Sequence, residues 1–161
     1  METPVGFLGL YADATVLRRI DFLPPEALRP DPGEATQPIQ LARQQLTAYF
    51  RDPQAPFSLP LDPLGTPFQR RVWAALERIP PGQVRTYGEL ARTLGSGPRA
   101  VAGACRANPL PIVIPCHRVV AADGPGGYAG ASRGGPVALK RWLLAHESGY
   151  RPVVPGETEN I

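Results

Sequence analysis

Apolar residues recur along the chain in two different rhythms. Val5 to Tyr11 and Val16 to Phe22 are short aliphatic and aromatic runs separated by Ala12-Asp13-Ala14-Thr15, which predicts two strands joined as a hairpin. The proline-rich segment Leu23 to Gln37 reads as a loop. From Pro38 to Phe50, residues Ile39, Ala42, Leu46, Tyr49 and Phe50 fall on one helical face, with Thr36 placed to cap it. Asp52 to Leu64 returns to proline-rich, extended chain and reads as a linker.

From Gly65 onward the rhythm is helical. Thr66-Pro67-Phe68-Gln69 supplies a threonine cap, a proline for the first helical position and a glutamine for a capping box. Phe68, Val72, Ala75, Leu76 and Ile79 form the stripe that follows, and Pro80-Pro81-Gly82 ends it. Thr86 to Leu94 opens with a second capping box and runs into Gly95-Ser96-Gly97. Pro98 begins another short helix that ends near Asn108-Pro109, so the pair has the form of a helix-turn-helix. Ile112 to Ile114 predicts a buried strand that stops at Pro115. Asp123 to Ala131 is a glycine-rich loop, and Pro136 opens a last helix with Leu139, Trp142, Leu143 and His146 on one face and Glu147 at its end. No periodicity continues past Ser148, which predicts a poorly ordered tail.

Composition narrows the class. A chain of 161 residues with 43% hydrophobic content fits one domain or two small ones sharing an interface. No apolar run reaches the length of a membrane span, and Glu2 and Pro4 stand where a signal peptide would be basic and then apolar. Two cysteines make no disulfide framework, so the expected setting is a reducing one, cytoplasmic, or nuclear in a eukaryote. Residues 1–60 carry 5 arginines against 7 acids, whereas residues 61–150 carry 11 basic side chains against 5 acids. A basic second half suits a polyanion, although genomic base composition also enriches arginine.

The second helix of the pair sharpens this. Val101, Ala104, Cys105 and Asn108 share one side, and Arg99, Ala102, Gly103 and Arg106 share the other. Alanine and glycine cannot read base edges, but they let a helix backbone approach a duplex closely while arginines meet phosphate or enter beside a base. The expected contact is sequence-independent and suits the minor groove. Just downstream, Cys116 adjoins His117 and Arg118. A cysteine so placed is either a small core residue with a satisfied histidine beside it or a nucleophile whose thiolate is favoured by nearby cations, and the polar neighbours favour the second. Cys105 falls on the apolar side and reads as core. A zinc site would need Cys105, Cys116, His117 and His146, a spacing that matches no common ligand pattern.

The ordered set Gly65-Thr66-Pro67-Phe68-Gln69, Thr86-Tyr87, Arg99-Ala100-Val101, Arg106-Ala107-Asn108-Pro109, Ile114-Pro115-Cys116-His117-Arg118-Val119, Gly127-Tyr128-Ala129-Gly130 and Leu143-Leu144-Ala145-His146-Glu147 resembles the O6-alkylguanine-DNA alkyltransferases. The resemblance implies an α/β (α+β) fold. Residues 1–64 would form a small RNase H-like sheet-plus-helix domain, residues 65–150 a mostly helical domain with a winged helix-turn-helix-like DNA-binding unit, and residues 151–161 a tail. It implies DNA repair by direct reversal: duplex DNA bound through the minor groove, the alkylated guanine flipped out, and its alkyl group moved irreversibly to Cys116 in a single turnover. By matching position, His117 is the base, Glu147 its orienter, and Asn108 the brace between recognition helix and active-site strand. Arg99 would fill the vacated stack, with Ala102, Gly103, Arg106 and Arg118 also on the DNA side. Tyr87, Val119, Tyr128 and Ala129 would hold the base.

The implied partner is double-stranded DNA carrying O6-alkylguanine, with O4-alkylthymine a further candidate. The protein would be a monomer, with cooperative assembly on DNA an open alternative, and neither cofactor, metal nor membrane is implied. Ala131 stands where the family often has a second glycine, Ser132 to Pro136 lengthens the loop, and the turn before Arg99 is short. Three other readings compete: a cysteine hydrolase built on Cys116, His117 and Glu147, a module that only marks alkylated bases, and a transcription regulator.

Overall fold

Local side-chain hydrogen bonds set the chain's first turn. In the computed structural model, which describes residues 1–27, 33–129 and 134–148, Asp13 Oδ1 accepts from the backbone N–H of Thr15 at 2.8 Å and of Val16 at 2.9 Å. That closed turn reverses the chain between β2 (Gly6–Ala12) and β3 (Leu17–Leu23). The two strands pair antiparallel with Leu8 opposite Phe22 and Leu10 opposite Ile20, and a bulge falls at Tyr11/Ala12. A two-residue strand, β1 (Glu2–Thr3), adds to the outer edge of β2; its shortness left no periodic signal. Helix α1 (Gln37–Arg51) packs on β2 and β3, burying Pro38, Ala42, Leu46 and Tyr49. Thr36 occupies its N-cap without a side-chain cap hydrogen bond. Part of the predicted loop 23–37 lies outside the described residues.

The segment read as a linker is in fact tied down. Gln45 of α1 clamps Ser58, accepting from its backbone N–H at 2.8 Å and donating to its hydroxyl at 3.0 Å. Leu17 forms an isolated bridge with Leu61. This first unit comprises Met1–Leu64 together with Pro109–Val113, whose Pro109 carbonyl accepts from Ile20 N at 2.9 Å. Residues 109–113 therefore depart from the expected continuous second domain.

The second unit takes Gly65–Asn108 and the chain from Ile114. Both predicted capping boxes form. Gln69 N donates to Thr66 Oγ1 at 3.1 Å and Thr66 N to Gln69 Oε1 at 2.9 Å, opening α2 (Pro67–Glu77). The reciprocal pair between Thr86 and Glu89 opens α3 (Tyr87–Leu94). Gly95, at φ 64°, ends α3 in the left-handed conformation that glycine adopts without strain. Then α4 (Pro98–Arg106) packs back against α3. Trp73 is almost fully buried, and its indole N–H donates to the Ala104 carbonyl at 2.9 Å, joining α2 to α4.

Two expectations need correction. Ile112 to Ile114 is not a strand but a buried run of turns, with Ile112 at φ 74°. Pro109, Pro111 and Pro115 remove the donors that a ladder would need, so β-branched content alone misled. Extended pairing begins only at β5 (Val119–Val120), parallel to β4 (Arg85–Thr86), with Arg85 opposite Val119. The last helix, α5 (Gly135–Ser148), buries Val137, Lys140, Leu143, Leu144 and Glu147. The predicted face was rotated: Trp142 is exposed and stacks on His146 with centroids 4.9 Å apart. The apolar pattern could not show that a lysine occupies the buried side. The predicted tail 151–161 and positions 130–133 lie outside the described residues.

Candidate active site

Pro115 ends the buried turns, and Cys116–Arg118 then form a single 3-10 turn closed by Arg118 N to Pro115 O at 3.0 Å. The Ile114 carbonyl accepts twice, from Cys116 N at 2.8 Å and from Asn108 Nδ2 at 2.8 Å. With both lone pairs used, the end of α4 is fastened to the residue two places before Cys116. Cys116 is 7% exposed. Burial pushes its thiol above the ordinary range, opposed by the Asn108 side chain, the Lys140 charge and the Tyr128 side chain, each favouring the ionised sulfur.

The neighbouring imidazole is fully enclosed. Burial lowers the pKa of His117, against the pull of Glu147, while Arg118 and Lys140 push the same way as burial. His117 Nε2 lies 2.8 Å from Glu147 Oε2, and Nδ1 has no hydrogen-bond partner among the described residues. Burial alone would raise the Glu147 carboxyl, but hydrogen bonds from Arg118 and His117 bring it down to about 2. An ionised carboxylate only accepts, so the His117 proton resides on Nε2 and Nδ1 presents its lone pair.

Arg118 does not face outward. It is 6% exposed, and its Nε and Nη2 donate to the two oxygens of Glu147, both at 2.8 Å. The expectations that it meets DNA and that it lowers the Cys116 thiol are both corrected, because its charge is spent on Glu147. A charged residue set between Cys116 and the buried pair Val119-Val120 needs an internal partner, and that is the signal the sequence carried.

The cation that does serve the sulfur is Lys140, which the sequence reading missed. It is wholly buried, and its ammonium uses all three donors: Val119 O at 2.6 Å, Gly127 O at 3.0 Å and Tyr87 Oη at 3.4 Å. Burial lowers it to about 8, against the pull of Cys116 and Cys105. Lys140 thus ties the end of β5, the glycine-rich loop and the first residue of α3 together. Gly126, at φ 74°, lets that loop approach the Tyr87 ring, which a Cβ there would meet at 3.0 Å. Tyr128 and Val119 are buried, while Ala129, at φ 50°, is exposed. Cys105 is half-buried, with its thiol raised to about 12 by burial and by Cys116. The sequence placed it in the core and did not show that the charge of Cys116 acts on it.

On α4, Arg99, Gly103 and Arg106 are exposed and Ala102 half-exposed. A Cβ at Gly103 would meet nothing within 4 Å, and neither arginine has an ion pair or hydrogen bond among the described residues. The face is smooth, flanked by two uncommitted positive charges. Among those residues, no group of three or more His, Cys, Asp or Glu side chains could hold a metal, and no helix is long and apolar enough to cross a membrane.

Residues 67–149 match the family described as 6-O-methylguanine DNA methyltransferase, DNA binding domain, and residues 1–63 match its ribonuclease-like domain. The constitutive methylated-DNA–protein-cysteine methyltransferase of Bacillus subtilis is 41% identical over 153 residues, covering 89% of this chain and 90% of that protein. A Methanosarcina acetivorans protein of the same name is 40% identical, covering 91% of this chain and 94% of its own length. The crystal structure of Mycobacterium tuberculosis OGT in complex with DNA superposes with a TM-score of 0.74 at 38% identity, covering 91% of this chain and 90% of that one.

Proposed function

The chain belongs to the 6-O-methylguanine DNA methyltransferase family and acts in DNA repair by alkyl transfer to a protein cysteine, and we propose that Cys116 is the acceptor, used once. The observation that carries this is the hydrogen bond between Glu147 and His117, which leaves imidazole Nδ1, in the residue that directly follows the enclosed thiol, without a partner among the described residues. Nucleophile, base and orienter are the elements that thiol activation requires.

Cys116 gives its proton to His117 Nδ1, through a bridging water, as sulfur attacks the alkyl carbon. The S–C bond forms, the C–O6 bond breaks with its electron pair retained by the guanine, and the proton carried by the imidazole ends on the restored base. Glu147 stabilises the transient imidazolium. Because the resting thiol sits in an apolar enclosure that raises its pKa, the reactive thiolate exists only when Lys140 and the base act together. The product thioether has no hydrolytic exit.

Access requires the base to leave the stack. Arg99 and the small-residue face of α4 approach the duplex from the minor groove, Arg99 taking the vacated place with Arg106 at phosphate. Tyr87 turns the nucleotide, and Val119, Tyr128 and Ala129 hold its edge. O6-alkylguanine is the substrate, O4-alkylthymine a further one, and the protein works as a monomer, in the cytoplasm or, in a eukaryote, the nucleus.

The test is a duplex bearing one O6-methylguanine, incubated with the protein and followed by peptide mass mapping. One methyl group should appear on the Cys116 peptide, saturating at one equivalent, and Cys116→Ala should abolish transfer while DNA binding persists. Repeated turnover would indicate the hydrolase reading, and methyl on Cys105 would move the acceptor.

A further inference from the structure

Arg118 takes no part in the steps above, yet it is held by three hydrogen bonds. Beside its two bonds to Glu147, its Nη1 donates to the Ile79 carbonyl just beyond α2 at 2.5 Å. The oxygen that faces His117 Nε2 is the one that Arg118 Nη2 also grips, each at 2.8 Å. Arg99 and Arg106 on α4 are exposed, whereas this arginine is bound to Glu147 on α5 and to the carbonyl of Ile79.

We propose that Arg118 is the positioning residue for the base: its two-point grip holds Glu147 in place, which fixes the His117 proton on Nε2 and leaves Nδ1 without a partner among the described residues. Its positive charge also offsets that of Glu147, so the buried imidazole rests neutral and able to accept. The groups facing His117 are Glu147 and Lys140 from α5 and Arg118 from its own turn, and of these only Glu147 favours the imidazolium. Without the guanidinium, Glu147 is answered by His117 alone. The pair then settles as carboxylate and imidazolium, a base already protonated before the thiol needs it. The inference rests on the reading of His117 as base.

The test uses the full chain. In wild type, 15N chemical shifts of His117 should report a neutral ring protonated at Nε2 from pH 6 to 8. In Arg118→Met, the acid limb of the transfer rate on the O6-methylguanine duplex should move up by about one pH unit or more, with the rate recovering above it. Arg118→Lys, a milder change that keeps the charge, should leave the limb in place and lower the plateau. A wild-type ring charged at pH 7 or protonated at Nδ1 overturns the proposal whether or not the variants fold. So does a rate in Arg118→Met that falls equally at every pH, as a merely structural role would give. A His117→Gln variant with the wild-type rate and profile would instead remove the base reading itself.

Discussion

Arginine meets carboxylate in both units of this chain, with opposite surroundings. At the hairpin of the first unit, Arg18 reaches Asp13 at 2.6 Å and Asp62 at 3.4 Å with side chains 36 to 59% exposed. In the second unit, Arg118 reaches Glu147 at 2.8 Å with side chains 7% and 1% exposed. Contact distances barely separate the two. The difference lies in what else could answer each charge: water does so for Arg18 at little loss, whereas the Glu147 side chain, 1% exposed, has no solvent at hand to take the place of Arg118. The hairpin pair decorates a turn that backbone hydrogen bonds already hold, and the buried pair fixes the carboxylate that His117 Nε2 meets.

The most damaging way to probe that contrast is to remove Glu147. Glu147→Ala strands the Arg118 charge in an enclosed site and should cost about 3–5 kcal/mol in denaturant unfolding. It should also stop transfer to Cys116. A loss as small as that of a surface pair would mean that water reaches this site and that the two constellations are alike.

Which of these pairs matters was only partly legible in the sequence. Cys116 and His117 stood out as a thiol and an imidazole side by side after a buried apolar run, Glu147 was singled out only through the family resemblance, and both helix starts were legible because capping boxes act locally. Arg118 and Lys140 were not, since a charge is buried only when distant residues meet it. The partner of Arg118 lies 29 residues on, and the three acceptors of Lys140 come from α3, β5 and a loop. The false strand at Ile112 to Ile114 fails for the converse reason. Side-chain preference favoured extension there, but three prolines denied it a ladder, and only the tertiary surroundings hold Ile112 at φ 74°.

Acid should separate the units next. Glu147 titrates near 2 in the fold against an ordinary 4.5, so its contribution, on the order of 3 kcal/mol, is fully present above pH 4.5 and is lost as pH falls toward 2. His117 acts earlier in the same direction: its folded pKa is lowered, so the fold resists its charging and stability declines as pH drops below 6.5. Lys140 works at the other end, with stability rising as pH climbs from about 8 to 10.5, because the unfolded chain holds that proton longer. Hydrogen exchange followed against pH should show α5 and the Cys116 turn losing protection in acid before the β2–β3 hairpin. Simultaneous loss would mean that one cooperative event hides the local titrations.

The smallest expected effect is the most discriminating about the hairpin. The Asp13 carboxyl is held well below the usual carboxylate range, first by the backbone N–H groups of Thr15 and Val16 and only then by Arg18. Asp13→Asn keeps an oxygen for those two N–H groups and removes only the charge. It should leave the thermal midpoint nearly unchanged, with what little difference there is fading as salt is added. Asp13→Ala removes the acceptor as well and should lower the midpoint visibly at any ionic strength, because the turn then loses the bonds that close it. If Asp13→Asn were as costly as Asp13→Ala, the ion pair and not the turn would be holding the strands together. Exposure would then have failed as the measure of what an arginine–carboxylate contact is worth in this chain.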